Sequence, residues 1–397
     1  NPHAWEIEYY YQNIWSTLKN AKNGSVEIYN ENFFAPIENV TLYWTIEAEG
    51  KKVDEGTMDI SKLKIAPQSR KQIKIAAIAK ALKNKELAGK EIVCNLNYRL
   101  TEAAPLMDKG ESVAHDQFVL TEYAYPVVSN LTKVEGKVEK DQRIAYTVLS
   151  ANGVKVTFSN DNGLISYIDV DGKPMMQDGA QLLPDFWRPV TDNDYGADFQ
   201  RKFGAWQNPR LNKKSFKIEQ QGNNQVATAE YDIRQTESTL KLTYTLTPEG
   251  KLIVEQALTV NPEAKNKPQL LRFGMEMQMP KEYSNIEFYG KGPHENYIDR
   301  AYSQTIGVWK QTVADQYYTY IRPQESGNKT GVRYWKVLNP QGKGLEFEGT
   351  EPLEMKSLNY TDEDLFSGPV KHHTQRHSGD LTPRPFTVVS IASREMG

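Results

Sequence analysis

Hydrophobic and polar residues alternate along most of this 397-residue chain. In IVCNLNYRL (92–100) every second residue is apolar, and VTLYWTIE (40–47) and TLKLTYTL (239–246) repeat the same period of two. This period is typical of β-strands with one buried face, whereas an amphipathic helix has a period of 3.6. Only AIAKALKNKELAG (77–89) has a helical pattern, and Gly89 would end that helix. The pattern predicts an all-β protein with one short helix.

Turn residues separate the predicted strands. Asn162-Gly163 and Asp171-Gly172 enclose the strand-like segment LISYIDV (164–170), and such pairs are typical of two-residue hairpin turns. The segment TPEG (247–250) lies between TLKLTYTL and the next strand-like run, KLIVEQALTV. We therefore expect neighbouring strands in this part of the chain to pair antiparallel.

Chain length and strand spacing favour two domains. A chain of 397 residues exceeds the usual size of one domain, and about 100 residues of short strands are typical of a β-sandwich. Residues 123–143 mix proline, small polar residues and charged residues before the strands resume. We expect a sandwich domain over residues 1–122, a linker over 123–143 and a larger β domain over 144–397.

Charge and composition exclude several classes of protein. The formal net charge of −3 is too small for the basic surface of a nucleic-acid-binding protein. Because the sequence has no apolar run of 18 residues, we expect no membrane-spanning segment. The single cysteine, Cys94, excludes an intrachain disulfide and lies on the apolar face of a predicted strand, where a small core residue is expected.

Both ends of the sequence favour a fragment of a longer protein. The chain does not begin with methionine, and PFTVVSIASREMG (385–397) ends directly after a strand-like run. The first residues, NPHAWEIEYYYQNIW, lack the pattern of a signal peptide. Since the expected fragment would have lost any such segment, the cellular compartment stays open between cytoplasm and periplasm.

Two motifs contain carboxylates that suit carbohydrate chemistry: Asp192 and Asp194 in TDNDYG, and Glu295 and Asp299 in HENYIDR. Glycoside hydrolysis requires two carboxylates about 5–9.5 Å apart on either side of one bond. Sequence spacing does not establish that distance, and Asp or Asn near Gly is equally typical of turns. We expect no catalytic pair from this chain alone. A turn and a ligand-facing role both remain open for Asp192 and Asp194.

Aromatic residues crowd the region 289–320, where tyrosines and a tryptophan alternate with glycines and polar residues. Aromatic faces stack on sugar rings, and neighbouring polar groups bind the hydroxyls. The same tyrosines would also pack inside a β-sandwich. Composition does not separate these two interpretations.

Three histidines, His372, His373 and His377, lie close together in KHHTQRHSG (371–379). A protein zinc site requires three or four ligands in a regular spacing. Flanking glycines and prolines favour a loop here, and no further ligand motif accompanies the histidines. The sequence therefore predicts no metal site.

Three motifs in the same order resemble the C-terminal domain of family 2 β-galactosidases. They are FWRPVTDNDYG (186–196), GKGPHENYIDR (290–300) and DQYYTYIRPQESGNKTGVRYW (315–335). Upstream, residues 26–56 resemble the immunoglobulin-like domain that precedes this domain in the family, and NPHAWEIEYYYQNI resembles the exit from a catalytic barrel. The resemblance covers nearly the whole chain.

The resemblance implies a fold and a location for the catalytic residues outside this chain. The fold is an immunoglobulin-like β-sandwich followed by an antiparallel supersandwich of the galactose-mutarotase type. The catalytic glutamates and the magnesium site of the family belong to a (β/α)₈ barrel, which would precede Asn1. The chain would therefore hold no catalytic residue and no cofactor, and its activity as an isolated enzyme is left open, with inactivity expected.

The resemblance also implies roles for two groups of residues. A mobile loop at the mouth of the galactose pocket would contain Asp192, Asn193, Asp194, Tyr195 and Gly196, with Gly196 as a hinge. A polar network that supports the following loop, or alternatively a carbohydrate surface, would contain His294, Glu295, Asn296, Tyr297, Asp299, Arg300, Glu325 and Arg333.

The implied function is that of the non-catalytic C-terminal part of a β-galactosidase, which borders the active site and supports assembly. Its partners would be the N-terminal domains and barrel of the same enzyme, a galactoside substrate and, at full length, further copies in a homo-oligomer. Two alternatives remain: a stand-alone carbohydrate-binding or mutarotase-like module, and a scaffold protein without a sugar ligand.

Overall fold

A computed structural model of the chain describes residues 1–264, 268–370 and 377–395. The chain forms two compact units. The first unit consists of Asn1–Tyr125, Tyr289–Asn296 and Arg300–Trp309, and the second of Pro126–Phe288, Tyr297–Asp299 and Lys310–Gly397. The first unit thus includes most of the motif GKGPHENYIDR. The predicted domain boundaries stay a prediction, although residues 139–142 of the expected linker form a strand.

The first unit is built from two antiparallel sheets. Its helices and strands are α1 (Pro2–Tyr10), β1 (Ile14–Asn20), β2 (Ser25–Asn30), β3 (Val40–Ala48), β4 (Lys51–Asp59), β5 (Arg70–Lys74), α2 (Ala76–Lys83), β6 (Ile92–Leu100) and β7 (Ser112–Thr121). One sheet has the order β1-β2-β5 and the other β4-β3-β6-β7. Short 3₁₀ helices lie at Ile60–Leu63, directly after β4, and at Lys85–Leu87, after α2.

Alternating residues of both sheets fill the core of the first unit. Val26 and Ile28 of β2, and Leu42 and Ile46 of β3, are fully buried in one continuous hydrophobic cluster. This arrangement is a β-sandwich, because each sheet buries the apolar face that its period-two pattern creates. Cys94 belongs to the same cluster, and burial raises the pKa of its thiol to about 12, as expected of an inert core residue.

The predicted helix over 77–89 is confirmed in shortened form. The α-helix covers Ala76–Lys83, and a 3₁₀ turn over Lys85–Leu87 follows. Asn84 separates the two because its side chain accepts a hydrogen bond from the backbone N–H of Glu86 and caps the second turn. Ile78 and Ala81 face the core, which explains the helical spacing of the apolar residues.

The second unit contains most of the remaining elements. Up to residue 280 these are α3 (Val128–Leu131), β8 (Glu139–Gln142), β9 (Tyr146–Ala151), β10 (Val154–Ser159), β11 (Ile165–Val170), β12 (Lys173–Pro174), β13 (Leu183–Asp185), α4 (Asp192–Ala197), α5 (Phe199–Lys202), β14 (Asn212–Gln221), β15 (Asn224–Ile233), β16 (Ser238–Leu246), β17 (Leu252–Val260) and β18 (Arg272–Pro280). After residue 280 they are β19 (Asn285–Gly292), β20 (Thr305–Thr312), α6 (Val313–Gln316), β21 (Lys329–Leu338), β22 (Gly344–Leu358), α7 (Asp362–Leu365) and β23 (Phe386–Glu395).

Three further sheets have the orders β12-β11-β10-β9-β8, β14-β15-β16-β17 and β13-β18-β23-β22-β21-β19-β20. The all-β prediction is confirmed. Phe158 of β10 packs edge-on against Tyr244 of β16 at 5.4 Å, so the five-stranded and four-stranded sheets share a core. In the seven-stranded sheet, Trp335 stacks on Phe288 at 4.8 Å.

The predicted hairpin at Asp171-Gly172 is confirmed by its backbone. Both residues have positive φ angles, 51° and 78°, and they connect β11 to its antiparallel partner β12. Type I′ turns require this conformation at both central residues, which favours Asp or Asn followed by Gly. Gly250 likewise has a φ of 83° in the turn between β16 and β17.

Candidate functional site

The segment TDNDYG forms a short helix, α4, rather than the expected mobile loop. Thr191 caps it: its side chain accepts from the N–H of Asp194, and the Asp194 side chain accepts from the N–H of Thr191. This reciprocal capping box explains why the sequence folds into a helix here. Gly196 lies inside the helix without a positive φ, and its role as a hinge stays a prediction.

Asp194 is buried and paired, which favours a structural role over a ligand-facing one. The guanidinium of Arg188 donates to its Oδ2 at 2.6 Å, and both side chains are almost fully buried. The N–H of Thr191 donates to the same oxygen at 2.7 Å. The pair therefore holds the start of α4 against the preceding loop.

The other residues of the motif differ in exposure. Asp192, Asn193 and Gly196 are exposed. Tyr195 is half-buried; its hydroxyl donates to the carbonyl of Gly368 at 2.5 Å, and burial raises its pKa to about 12. The backbone N–H of Asp192 donates to the side chain of Gln324 at 3.2 Å. Side chains thus fix α4 at both ends.

The first unit contains one half of the predicted polar network. Arg300 donates a short hydrogen bond to the buried carboxylate of Glu295. The buried amide of Asn296 donates to the carbonyls of Lys291 and His294 at 3.0 and 2.9 Å. The His294 ring stacks on Trp5, with ring centroids 4.4 Å apart. These contacts secure the loop between β19 and β20.

The second unit contains another part of the predicted set. The hydroxyl of Tyr297 donates to Glu325 at 3.2 Å, and the buried Arg333 donates to the carbonyl of Gly331. Asp299 is exposed, and the structure shows no contact of its side chain with the network. Among the described residues, the contacts given above lie within each unit, and none of them involves the side chain of Asp299.

Glu325 leads to a buried ionic network around Arg272, which is fully buried on β18. The guanidinium of Arg272 donates to four carboxylates. The distances are 2.5 Å from Nη1 to Asp185, 3.0 Å from Nη1 to Asp362, 3.1 Å from Nη2 to Glu325 and 2.8 Å from Nε to Glu395. A buried guanidinium with several carboxylates is stabilised because each of its donors is paired.

Lys356 of β22 provides the second positive charge of the network. Its ammonium lies 2.6 Å from Glu325 and 3.4 Å from Asp362. Glu276 of β18 adds a further carboxylate on the same face of the sheet. Burial, followed by the charges of Asp362 and Asp185, raises the pKa of Glu276 to about 8.

Of the residues in this ionic network, only Glu325 was predicted from the sequence. One signal existed: Arg272 interrupts a mostly apolar run in LLRFGM. A charged residue within an otherwise buried strand requires a partner of opposite charge. Such a residue can be recognised along the chain, but its partners cannot.

Two surface cavities, of about 850 and 480 Å³, are lined by other residues. The first lies around Arg143 and Tyr146, and the second lies above the four-stranded sheet around Thr228 and Thr243. Neither is lined by a predicted site residue.

His372 and His373 lie outside the described residues. His377 is exposed, and its backbone N–H donates to Asp380 at 3.2 Å. In the described parts of the chain, no helix is both long enough and apolar enough to cross a membrane.

Comparison with known proteins gives two family matches. The family described as β-galactosidase small chain matches residues 150–397, and the family described as β-galactosidase, domain 4, matches residues 26–121. A β-galactosidase of Priestia megaterium is 28% identical over 400 residues, and one of Halalkalibacterium halodurans is 28% identical over 401 residues. Each alignment covers 100% of this chain and 37% of the relative.

A solved structure from Escherichia coli K12, provisionally named an aldose 1-epimerase, matches with 13% identity and a TM-score of 0.29. The match covers 62% of this chain and 97% of that protein. A TM-score this low carries no argument about the fold, so the mutarotase-type topology rests on the sequence resemblance.

The two family matches follow each other along the chain in the order that the motifs predict. The chain spans 37% of the length of the first two relatives. The chain therefore belongs to the β-galactosidase small-chain family and corresponds to a C-terminal part of β-galactosidases.

Proposed function

We propose that this chain is the non-catalytic C-terminal part of an enzyme that hydrolyses terminal β-D-galactosides. The observation that carries the proposal is the alignment of the whole chain with only 37% of β-galactosidase relatives. The remaining part of such an enzyme would supply the catalytic glutamates and the magnesium ion of the reaction. The full-length protein would form a homo-oligomer.

Each of the motif carboxylates named below is paired with a cation, which favours a structural role over a catalytic one. Asp194 pairs with Arg188, Glu295 with Arg300, and Glu325 with Lys356. A general acid or nucleophile must reach the substrate and change its charge during the reaction. A carboxylate in a buried salt bridge cannot reach the substrate or change its charge without losing the interaction with its cationic partner.

An exposed aromatic surface on the first unit is the proposed contact with the rest of the enzyme. Helix α1 has no buried residue, and Trp5, Tyr10 and Tyr11 are 45%, 54% and 81% exposed. Tyr302, 62% exposed, lies beside Tyr10 at 5.8 Å. Clustered exposed aromatics mark interaction surfaces, because their burial on binding is favourable.

The position of α1 is fixed in advance of any contact. Glu6 accepts hydrogen bonds from the backbone N–H groups of Tyr302 and Ser303 at 3.1 and 3.0 Å. A surface that is already ordered loses less conformational entropy on binding. This surface is therefore suited to a permanent contact with the preceding domains.

Helix α4 is the proposed border of the galactose pocket. Its exposed residues Asp192, Asn193 and Gly196 face solvent, while Tyr195 and the Arg188–Asp194 pair anchor it. In this proposal the helix shapes the pocket as a rigid wall, and its residues take no part in bond cleavage.

The test is hydrolysis of a chromogenic β-galactoside by this chain alone and after addition of the separately expressed N-terminal part. We expect no activity from the chain alone and activity from the mixture. Trp5→Ala combined with Tyr10→Ala should weaken this complementation, whereas Phe34→Ala, which removes a 96% exposed aromatic elsewhere on the first unit, should not.

Activity of the chain by itself would overturn the proposal, because it would require catalytic carboxylates within these 397 residues. Galactose binding by the chain alone, without complementation, would favour the stand-alone carbohydrate-binding module instead. Absence of both would favour a scaffold protein.

A further inference from the structure

Three carboxylates of the second unit meet at one point on the seven-stranded sheet, where the sequence predicts no metal. One oxygen each of Asp185, Glu276 and Asp362 lies within 4.8 Å of the other two. We propose that these three carboxylates form a site for a hard divalent cation, with Ca²⁺ fitting best. This inference is independent of the proposed function, since the catalytic magnesium of that proposal lies elsewhere.

A buried hydroxyl without a partner provides a second, independent observation. Ser390 of β23 is 2% exposed, and its Oγ has no hydrogen-bond partner among the residues that the structure describes. Ser390 lies directly opposite Glu276 of β18 and directly opposite Lys356 of β22. Directly opposed residues of an antiparallel sheet point to the same face. The hydroxyl is therefore directed to the side of the sheet that carries the carboxylates.

Unsatisfied buried polar atoms are rare in native proteins and call for an explanation. A cation or a water molecule bound to it would provide a partner for Ser390. The carboxylate of Glu395 repeats the observation: its Oε2 accepts from Arg272, while its buried Oε1 has no partner within the described residues.

The excess of carboxylates over cationic side chains in the network also favours a cation site. Five carboxylates face two cationic side chains; the carboxylates are Asp185, Glu276, Glu325, Asp362 and Glu395, and the cations are Arg272 and Lys356. In the described parts of the chain, Glu276 forms neither an ion pair nor a side-chain hydrogen bond. Glu276 is therefore the carboxylate of the network that has no direct partner in the described structure, and a cation can bind it without displacing an existing salt bridge.

The donor set and the spacing select the kind of ion. Carboxylate and hydroxyl oxygens are ligands of hard cations such as Ca²⁺ and Mg²⁺. Opposite ligands are about 5 Å apart around Ca²⁺ and about 4 Å apart around Mg²⁺. Because the three oxygens lie within 4.8 Å of one another, one Ca²⁺ can contact all of them without a backbone movement. None of the three residues is fully buried, and the side chains of Asp185 and Asp362 are 13% and 19% exposed.

The experiment is a titration of the chelator-treated chain with CaCl₂ and with MgCl₂, followed by calorimetry and by thermal unfolding. We expect binding of one ion per chain, tighter for Ca²⁺, and a rise of Tm on binding. Glu276→Gln should weaken binding by roughly tenfold or more, because it removes a charged ligand. Glu351→Gln replaces an exposed carboxylate on β22 of the same sheet and should leave binding unchanged.

Thermal unfolding in the absence of metal distinguishes a metal ligand from a residue that only stabilises the fold. In the presence of chelator, Glu276→Gln should melt at or above the temperature of the native chain, because an uncharged amide replaces an acidic group that is crowded by Asp185 and Asp362. If this variant fails to fold, Ser390→Ala, which removes the proposed hydroxyl ligand, should weaken Ca²⁺ binding in the same titration. Absence of Ca²⁺ and Mg²⁺ binding by the native chain, or equal affinity of the native chain and Glu276→Gln, would overturn the inference.

Discussion

Replacing Arg272 by methionine is expected to lower the free energy of unfolding of the second unit by about 3–5 kcal/mol. Methionine fills a similar volume without a charge, so the change tests electrostatics more than packing. The side chain of Arg272 is fully buried and donates to four carboxylates at 2.5–3.1 Å. Without it, Lys356 would remain as the cation in salt-bridge contact with Glu325 and Asp362.

The magnitude follows from the charges that remain. Removing one partner of a buried ion pair leaves an uncompensated charge, which costs about 3–5 kcal/mol. Glu395 is most affected, since Arg272 is its only ionic partner in the described structure. Glu325 and Asp362 retain Lys356, at 2.6 and 3.4 Å, and this limits the loss.

The assay is urea unfolding followed by tryptophan fluorescence at pH 8 and pH 5. The matched control is Arg384→Met, because Arg384 pairs with Asp364 at the surface with 47% of its side chain exposed, where a pair contributes about 0–1 kcal/mol. The cost of Arg272→Met should be smaller at pH 5. Carboxylates that lose Arg272 acquire raised pKa values in the folded state, so the lower pH neutralises them.

A loss for Arg272→Met no larger than that of the control would refute this reasoning, because it would mean that the carboxylates reach solvent. An equal loss at both pH values would show that packing, rather than charge, explains the effect.

Three further predictions address other parts of the chain. Burial, followed by the charge of Glu395, raises the pKa of Glu354 from 4.5 to about 7, so its protonated form is favoured in the folded state. Its contribution to stability should fall by about 3 kcal/mol as the pH rises through this window. In urea unfolding at pH 5 and pH 8, Glu354→Gln should reduce the fall in stability, while Glu276, whose pKa is also raised, still contributes to it; an equal fall in the variant and the native chain would contradict this. Arg300→Ala should cost about 1–3 kcal/mol in the first unit, because it removes the cation that lies against the buried carboxylate of Glu295; an unchanged melting temperature would contradict this. Gly196→Ala in the complete enzyme should leave the melting temperature unchanged or slightly raised, because an added Cβ meets no atom within 4 Å and alanine favours helix. The same variant should change the turnover number if α4 borders the galactose pocket; an unchanged turnover number would exclude α4 from that border.

The sequence by itself determined the local structure of this protein. The period of two in IVCNLNYRL predicted β6, and the turn pair at Asp171-Gly172 predicted the hairpin of β11 and β12. These signals are local: alternation depends on which residues share a face, and a turn depends on the φ angles that two residues tolerate. Three motifs also identified the family by resemblance, which the comparisons confirm.

Only the tertiary structure decided which charged residues meet. The TDNDYG motif indicated polar chemistry at Asp194, but its pairing with the buried Arg188 depends on the capped helix α4. Arg272 meets Glu325 and Glu395, which lie 53 and 123 residues away along the chain. Strand order and register determine these encounters, and both result from packing of the whole sheet rather than from any local pattern. The partners of a buried charge were therefore not predictable, although the need for partners was.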